Sequence, residues 1–310
     1  MSRKVLITGV AGFIGSNLLD FLMRETDWEI CGIDNFSTGN ADNIAAHRNN
    51  PRFTFSEDTL FNLTTLKPYE TVFHLAALPR IQPSFEAVSE HIRENLLATV
   101  HLIELMMRDQ HYPRLVNSSS SAVYGTPELV PTPEEERIDC LSPYAFQKYE
   151  TEKYISLIET RVPLDYVHLR YFNPYGPRSF NPENKFNAYS SVVGIFLRRL
   201  ESGKPLEVTG NGTQRRDFVH VQDLARANYM AALHPEKLNT AFNIGQSETV
   251  SIIDLARKIS ENITFIPERP GEAEITHADV GKARSVLGWE PRMSLDTYLR
   301  EACQKIKSHA

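Results

Sequence analysis

The run Lys4-Val5-Leu6-Ile7 passes straight into Thr8-Gly9-Val10-Ala11-Gly12-Phe13-Ile14-Gly15, and a helix-like stretch follows from Gly15 to Glu25. A strand that enters a helix through three closely spaced glycines leaves few folds open. Glycine lets the backbone turn tightly and approach a diphosphate, while the helix start offers free N–H groups and the positive end of its dipole. The spacing is GxxGxxG rather than the more general GxGxxG. Taken alone, it also suits a plain strand–helix turn that binds nothing.

The rest of the chain keeps the same rhythm. Short apolar runs at Glu29–Ile33, Thr71–Ala76, Leu115–Ser118 and Tyr166–Arg170 alternate with helix-like stretches at His91–Met107 and Pro143–Glu159. This alternation predicts a parallel sheet with helices on both faces. After Phe172 the segment Asn173–Lys185 is rich in Pro, Asn and Gly and reads as a loop and domain switch. A helix near Tyr189–Leu200, a strand at Leu206–Val208 and a strand at Ala241–Gly245 returning to the main sheet are expected beyond it. The fold class is thus α/β: a Rossmann-like doubly wound parallel sheet with a smaller C-terminal α/β substrate domain. Residues 1–172, with about 217–250 returning, form the dinucleotide-binding part; 173–216 and 251–310 form the smaller part over the carboxyl edge of the sheet, where ligands bind in such folds.

Composition narrows the partners. The net charge of −6 over 310 residues gives no basis for a nucleic-acid surface. Cys31, Cys140 and Cys303 are far apart and show no disulfide or metal spacing, which suits a reducing cytoplasm. A first strand starting at Lys4 leaves no room for a signal peptide, and no apolar run is long enough to span a bilayer. A cytoplasmic protein without metal, nucleic acid or membrane partner is expected.

The second strand ends at Asp34, nineteen residues past Gly15. An acid there accepts hydrogen bonds from adenosine ribose hydroxyls and repels a 2′-phosphate, so NAD is expected rather than NADP; as Asp34-Asn35 it also suits a turn. Further on, Ser142 is a good helix N-cap and Pro143 a good first helical residue. Tyr144 and Lys148 follow at i and i+4 on one face. A free tyrosine titrates near pH ~10. A nearby ammonium, the helix start and an oxidised nicotinamide all favour its phenolate, which makes a Tyr–Lys pair a general base. The pair alone is common on helix surfaces. Here it follows Ser118-Ser119-Ser120-Ser121 at the end of a strand. One of these hydroxyls can orient a reacting proton while the others satisfy backbone groups.

With these residues the chain resembles the extended short-chain dehydrogenase/reductase family, and within it the nucleotide-sugar 4-epimerases. The resemblance rests on TGVAGFIGSN (Thr8–Asn17), DNFSTG (Asp34–Gly39), HLAAL (His74–Leu78), SSSAVYG (Ser119–Gly125), YAFQK (Tyr144–Lys148), LRYFNPYGPR (Leu169–Arg178) and RRDFVHVQDL (Arg215–Leu224). It implies Ser120, five residues before Gly125, as the catalytic hydroxyl, Tyr144 as base and Lys148 as its helper. It implies an NAD site formed by Gly9, Gly12, Phe13, Ile14, Gly15, Asp34, Asn35, Ser37, Thr38, Gly39, Asp58, Thr59, Leu75, Ala76, Ala77, Asn95, Ser118, Tyr144, Lys148 and Tyr171. The sugar nucleotide falls to Arg80, Ser120, Ser121, Tyr144, Asn173, Asn187, Val208, Arg216, Arg269, Glu272 and Thr276, with the two later arginines on the diphosphate and Glu272 on the ribose. Arg216 could alternatively pair with Asp217 or Asp223.

The family's dehydratases and decarboxylases carry an acid just after the catalytic hydroxyl. This chain has Ser121 and Ala122 there, which points to 4-epimerisation through a transient 4-keto sugar. UDP-glucose/galactose is the expected substrate pair. The small Thr276 at a position that limits pocket size extends the expectation to the N-acetylhexosamines, and Arg80 makes UDP-glucuronate a further candidate. A reductase, a dehydratase and a non-catalytic NAD sensor are the alternatives; the sensor is disfavoured because Tyr144 and Lys148 are both present. The resemblance also implies a homodimer through His91–Arg108 and Pro143–Glu159, with Leu96, Leu102 and Tyr154 as apolar candidates.

Overall fold

The computed structural model describes residues 2–180, 191–268 and 273–309. Its centre is a seven-stranded sheet built from β1 (Lys4–Thr8), β2 (Glu29–Asp34), β3 (Phe53–Glu57), β4 (Thr71–His74), β5 (Arg114–Ser120), β6 (Tyr166–Tyr171) and β9 (Thr240–Ile244), in the order β3-β2-β1-β4-β5-β6-β9. All six pairings are parallel. The order reverses between β1 and β4, and in an open α/β sheet ligands enter at the carboxyl ends beside that reversal. The strand near Ala241 does return to the main sheet, beside β6. The strand β3 has no counterpart in the sequence reading: its side chains alternate only weakly in exposure, so it lacks the apolar run that marks the inner strands.

Two apolar layers sandwich this sheet. On one face α1 (Phe13–Glu25) packs beside α7 (Val221–Leu233), burying Leu18, Leu19, Leu22 and Leu224 against Ile7 and Val116. On the other, α4 (Ala98–Asp109) and α5 (Pro143–Glu159) bury Leu102, Met106 and Ile155 against Leu6, Val72 and Leu115. Strands buried on both faces explain the continuous apolar runs of the sequence. The helix expected over His91–Met107 is more complicated. Two short helices, α2 (Ile81–Glu86) and α3 (Val88–His91), lead into a π-helical segment at Ile92–Leu97 before α4 begins.

A third apolar cluster, including Tyr175, Phe196, Leu206, Phe218 and Leu255, joins the later elements. These are α6 (Val192–Glu201), β7 (Leu206–Thr209), β8 (Arg215–Asp217), β10 (Thr249–Ser251), α8 (Ile252–Ile259), β11 (Ile263–Ile266), β12 (Ile275–Thr276) and α9 (Leu295–His309). They include two small sheets, β10-β8-β12 and β11-β7. Asn173, at φ 36, turns the chain out of β6 toward them, a conformation Asn tolerates better than most residues.

Candidate active site

The glycine turn shows why it needs glycine. Gly9 sits at φ 69, and a Cβ there would lie 2.8 Å from the Ala76 backbone. A Cβ on Gly15 would lie 2.1 Å from the Gly9 carbonyl oxygen. The helix start α1 therefore lies tight against the end of β1. Its cap residue Gly12 has no side chain to occupy the first-turn N–H groups, which leaves them to an anion.

Asp34 closes the same corner. Its carboxylate accepts from Ala11 N–H and Phe36 N–H, each at 2.8 Å. Burial pushes its pKa up while these backbone donors pull it down. It is thus a turn residue and also a cavity-facing acid: two accepted bonds leave lone pairs for a ligand's hydroxyls. Asp58 adjoins it, donating its N–H to the Asp34 carbonyl at 3.1 Å.

Behind the floor loop of the cavity, residues 75–80 after β4, lies a fully defined polar chain. Leu75 and Ala76 N–H both donate to Thr8 Oγ1 at 3.1 Å. Thr8 Oγ1 and His74 Nδ1 are 2.9 Å apart, His74 Nε2 and Thr99 Oγ1 are 2.9 Å apart, and Thr99 Oγ1 donates to Asn95 O at 3.1 Å. Only a neutral His74 protonated on Nε2 satisfies this chain, and burial accordingly pushes its pKa down to about 3.

At the other end of the cavity, α5 begins as its cap residues require. Ser142 Oγ accepts from Ala145 N–H at 3.1 Å and Pro143 takes the first turn. Tyr144 N–H donates to Ser84 Oγ on α2 at 3.1 Å, tying the helix start to the segment that carries Arg80. One turn on, Lys148 Nζ donates to the Ser118 carbonyl at 2.8 Å. The four serines divide their work. Ser118 supplies that carbonyl; Ser119 Oγ donates to Glu152; Ser120 Oγ accepts from Ala122 N–H at 3.2 Å and hydrogen-bonds the Tyr144 phenol; Ser121 lines the cavity wall.

Burial raises the Tyr144 pKa, and the Ser120 hydroxyl and then the Arg80 charge lower it. In the protein alone the cation bearing on the phenol is thus Arg80, where the sequence suggested Lys148, whose ammonium is directed at Ser118. Burial also pulls Lys148 down to about 8, against the Glu152 charge that raises it. Arg80 stands at φ 94, a backbone position rare for a residue with a side chain.

One cavity of about 870 Å³ runs between these two ends. Its wall includes Gly9, Gly12, Phe13, Ile14, Gly15, Asp34, Asn35, Ser37, Thr38, Asp58, Leu75, Ala76, Ala77, Ser118, Lys148 and Tyr171 of the expected cofactor residues, and Arg80, Ser120, Ser121, Tyr144, Asn173, Arg216 and Thr276 of the expected substrate residues. Gly39, Thr59, Asn95 and Val208 are off that wall. Gly39 packs on Ala11. Val208 is buried in the third apolar cluster. Asn95 accepts from Leu78 N–H at 2.6 Å and donates to Leu78 O and Gln147 Oε1, holding the floor loop to α5 from behind. Asn187, Arg269 and Glu272 lie outside the described residues.

Asp217 accepts from Gln246, Ser247 and Ala278 N–H, and Asp223 pairs with Arg226 at 2.8 Å, so the described ion pairs include none between these acids and Arg216. Asn173 Nδ2 donates to Thr276 Oγ1 at 2.8 Å and to the Asp217 carbonyl at 2.7 Å. The cavity also takes in Phe196, Arg199, Lys204 and Gln214, which no motif indicated. They come from separate later elements that only folding brings together. Among the described residues no group of three or more His, Cys, Asp or Glu is placed to hold a metal ion, and no helix is long and apolar enough to cross a membrane.

A helix start open to phosphate, an acid open to ribose and a tyrosine at the far end fit a ligand with an adenosine diphosphate at one end and a reacting ring at the other. That is the construction of a dinucleotide-dependent enzyme. Residues 5–245 match the model of the NAD dependent epimerase/dehydratase family, and the chain belongs to that family, an enzyme with NAD as its cofactor. It is 33% identical to a putative UDP-glucose 4-epimerase of Methanocaldococcus jannaschii, over 98% of this chain and 99% of the relative. The structure is similar to a UDP-N-acetylglucosamine 4-epimerase of Methanobrevibacter ruminantium M1 in complex with UDP-N-acetylmuramic acid, with a TM-score of 0.90, 29% identity and coverage of 100% and 99% of the two chains. It is also similar to a UDP-glucuronic acid 4-epimerase of Bacillus cereus in complex with UDP-glucuronic acid and NAD, with a TM-score of 0.89, 29% identity and coverage of 99% and 100%.

Proposed function

We propose that the protein is a UDP-sugar 4-epimerase, an isomerase that interconverts UDP-glucose with UDP-galactose and also UDP-GlcNAc with UDP-GalNAc. The observation that carries this is the content of the wall around Tyr144. Ser120 meets the phenol, while Ser121 and Ala122 follow where an eliminating or decarboxylating relative needs an acid. Bound NAD supplies the hydride acceptor and donor. Tyr144 takes the proton of the sugar's C4 hydroxyl, Ser120 orients that hydroxyl, and Arg80 and Lys148 favour the charged form of the base. The 4-keto sugar turns over in the cavity and Tyr144 returns the proton. Arg216 takes the diphosphate, and Asn173 with Thr276 borders the sugar.

Two roomy features support the N-acetylated pair: Thr276 is small, and its hydroxyl is already held by Asn173. Arg80 favours a second reading, UDP-glucuronate, whose carboxylate a guanidinium fork receives on two oxygens. The proposed division of labour gives NAD the residues 1–172 with 217–250 and the sugar nucleotide the remainder. A homodimer through the α3–α4 segment and α5 belongs to the same reading.

The test is a panel of UDP- and GDP-sugars scored for C4-inverted products, with the dinucleotide released on denaturation identified. The expected outcome is turnover of both hexose pairs by protein that carries NAD. Turnover of the non-acetylated pair alone sinks the pocket argument. Exclusive turnover of UDP-glucuronate, lost in Arg80→Ala, favours the second reading. Tyr144→Phe should keep NAD and lose nearly all turnover; an active variant overturns the mechanism.

A further inference from the structure

Beneath the Tyr–Lys pair lies a buried polar cluster for which this mechanism has so far given no duty. Glu152 stands one helical turn beyond Lys148 on α5 and is 5% exposed. Its Oε1 and Oε2 receive Arg170 Nε and Nη2 of β6 at 2.9 and 2.7 Å, a two-pronged ion pair, and Oε1 also receives the Ser119 hydroxyl. Arg170 donates further to Tyr124 Oη at 2.8 Å and to the Glu134 carbonyl at 2.9 Å. Tyr124 in turn donates to Asn243 Oδ1 on β9 at 2.6 Å.

This cluster is costly if its only purpose is stability. A buried ion pair loses much of its attraction to desolvation, and apolar residues of similar volume often serve as well. Its placement suggests another use. Ser119 is the neighbour of Ser118, whose carbonyl receives Lys148. Glu152 is therefore tied to both partners of the Lys148 contact, the helix turn that presents the ammonium and the strand end that accepts it.

We infer that Glu152, clamped by Arg170 and Ser119, is a positioning residue that fixes Lys148 on the Ser118 carbonyl and keeps it charged beside Tyr144. The inference rests on the proposed roles of Tyr144 and Lys148. The charged groups around them are few. Lys148 faces His74 on β4 and Glu152 on its own helix. Glu152 faces Arg170 and His168 on β6, with Cys140 and Tyr166 also feeling its charge. His74 and His168 are pushed down to about 3 and about 4 and are neutral near pH 7. Glu152 is therefore the anion that sustains the ammonium, in agreement with its raising effect on Lys148.

The experiment is the pH profile of kcat for Glu152→Gln, Glu152→Asp and the double variant Glu152→Gln/Arg170→Met, beside Tyr144→Phe. Loss of the carboxylate lets Lys148 deprotonate earlier, so the alkaline limb of kcat moves to lower pH by about one unit. In Glu152→Gln, kcat falls by about 10- to 100-fold as the pair loosens, while KM for the UDP-sugar stays within about twofold. Glu152→Asp, which keeps the charge, returns the limb to its wild-type position. The double variant strands no charge and tests the same shift where the single variant fails to fold. A limb unmoved in the folded charge-removing variants, with only the melting temperature lowered, makes Glu152 a plain structural ion pair and overturns the inference. An active Tyr144→Phe would instead overturn the reading beneath it.

Discussion

Single residues here hold more than one duty, and the second duty is what the linear pattern hides. Asp34 was legible as the acid at the end of the second strand, and equally as a turn former. The structure makes it both, with its carboxylate on Ala11 and Phe36 N–H while still facing the cavity. Ser118 to Ser121 read as a hydroxyl-rich strand end, and the resemblance singled out Ser120; what only the packing of α5 adds is that Ser119 meets Glu152. Gly15 is a demanding position. A methyl group there meets backbone that has nowhere to go. Gly15→Ala should lower the unfolding free energy by about 1–3 kcal/mol through overpacking. It should also reduce the NAD released on denaturation, since the helix start shifts away from the phosphates. A variant with full NAD content and an unchanged denaturation midpoint contradicts this account.

Among the elements, α5 was the easiest to read, because Ser142 and Pro143 mark its start and its length follows from the pattern; the observed bounds are Pro143–Glu159. The stretch before Asp109 was not. Its apolar spacing suits one helix from His91, yet Ile92–Leu97 is π-helical and contains the buried Asn95 that holds the floor loop. A one-residue shift in hydrogen-bond register leaves almost no trace in apolar periodicity, and such segments recur at functional sites. The proposed dimer belongs to this scale. Leu102 is fully buried and so unavailable to a partner, while Leu96 is half-buried. Exposed apolar side chains on these elements include Ile92 and Leu97 on the π-helical segment, and Phe146, Leu157 and the expected Tyr154 along one side of α5. Replacing Phe146 and Leu157 by Glu should halve the mass seen by light scattering while leaving circular dichroism unchanged. A wild-type protein that is already monomeric, or a variant that stays dimeric, removes this pairing.

For the whole molecule, the buried histidines set a pH dependence. His74 and His168 titrate at about 3 and about 4 in the fold, below the ordinary 6.5. The unfolded chain binds protons that these sites refuse, so their stability contribution is full above about pH 6.5 and is lost as pH falls toward 4 and below. Asp217 opposes them. Burial raises it to about 6, so it stabilises on acidification between its ordinary 3.8 and that value. Burial lowers His91 and His220 as well and raises Asp34, Glu94, Glu134 and Glu150. His74 and His168 carry the largest displacements, so the melting temperature should drop between pH 7 and 4.5, less steeply in His168→Gln. A flat or rising melting temperature over that interval refutes the assignment of neutral buried histidines.

The sheet's rhythm, the glycine turn, the acid of the second strand and the helix carrying Tyr144 and Lys148 are all legible along the chain. Each is a local matter of spacing, caps and backbone freedom within about twenty residues. Folding brings Arg80 to the phenol, clamps Glu152 between Arg170 and Ser119, and puts Phe196, Gln214 and Phe218 on one wall with Gly12. These juxtapositions join residues tens to hundreds of positions apart. They are fixed by how the two helical layers and the later elements close over one sheet edge, and no short-range periodicity encodes that closure.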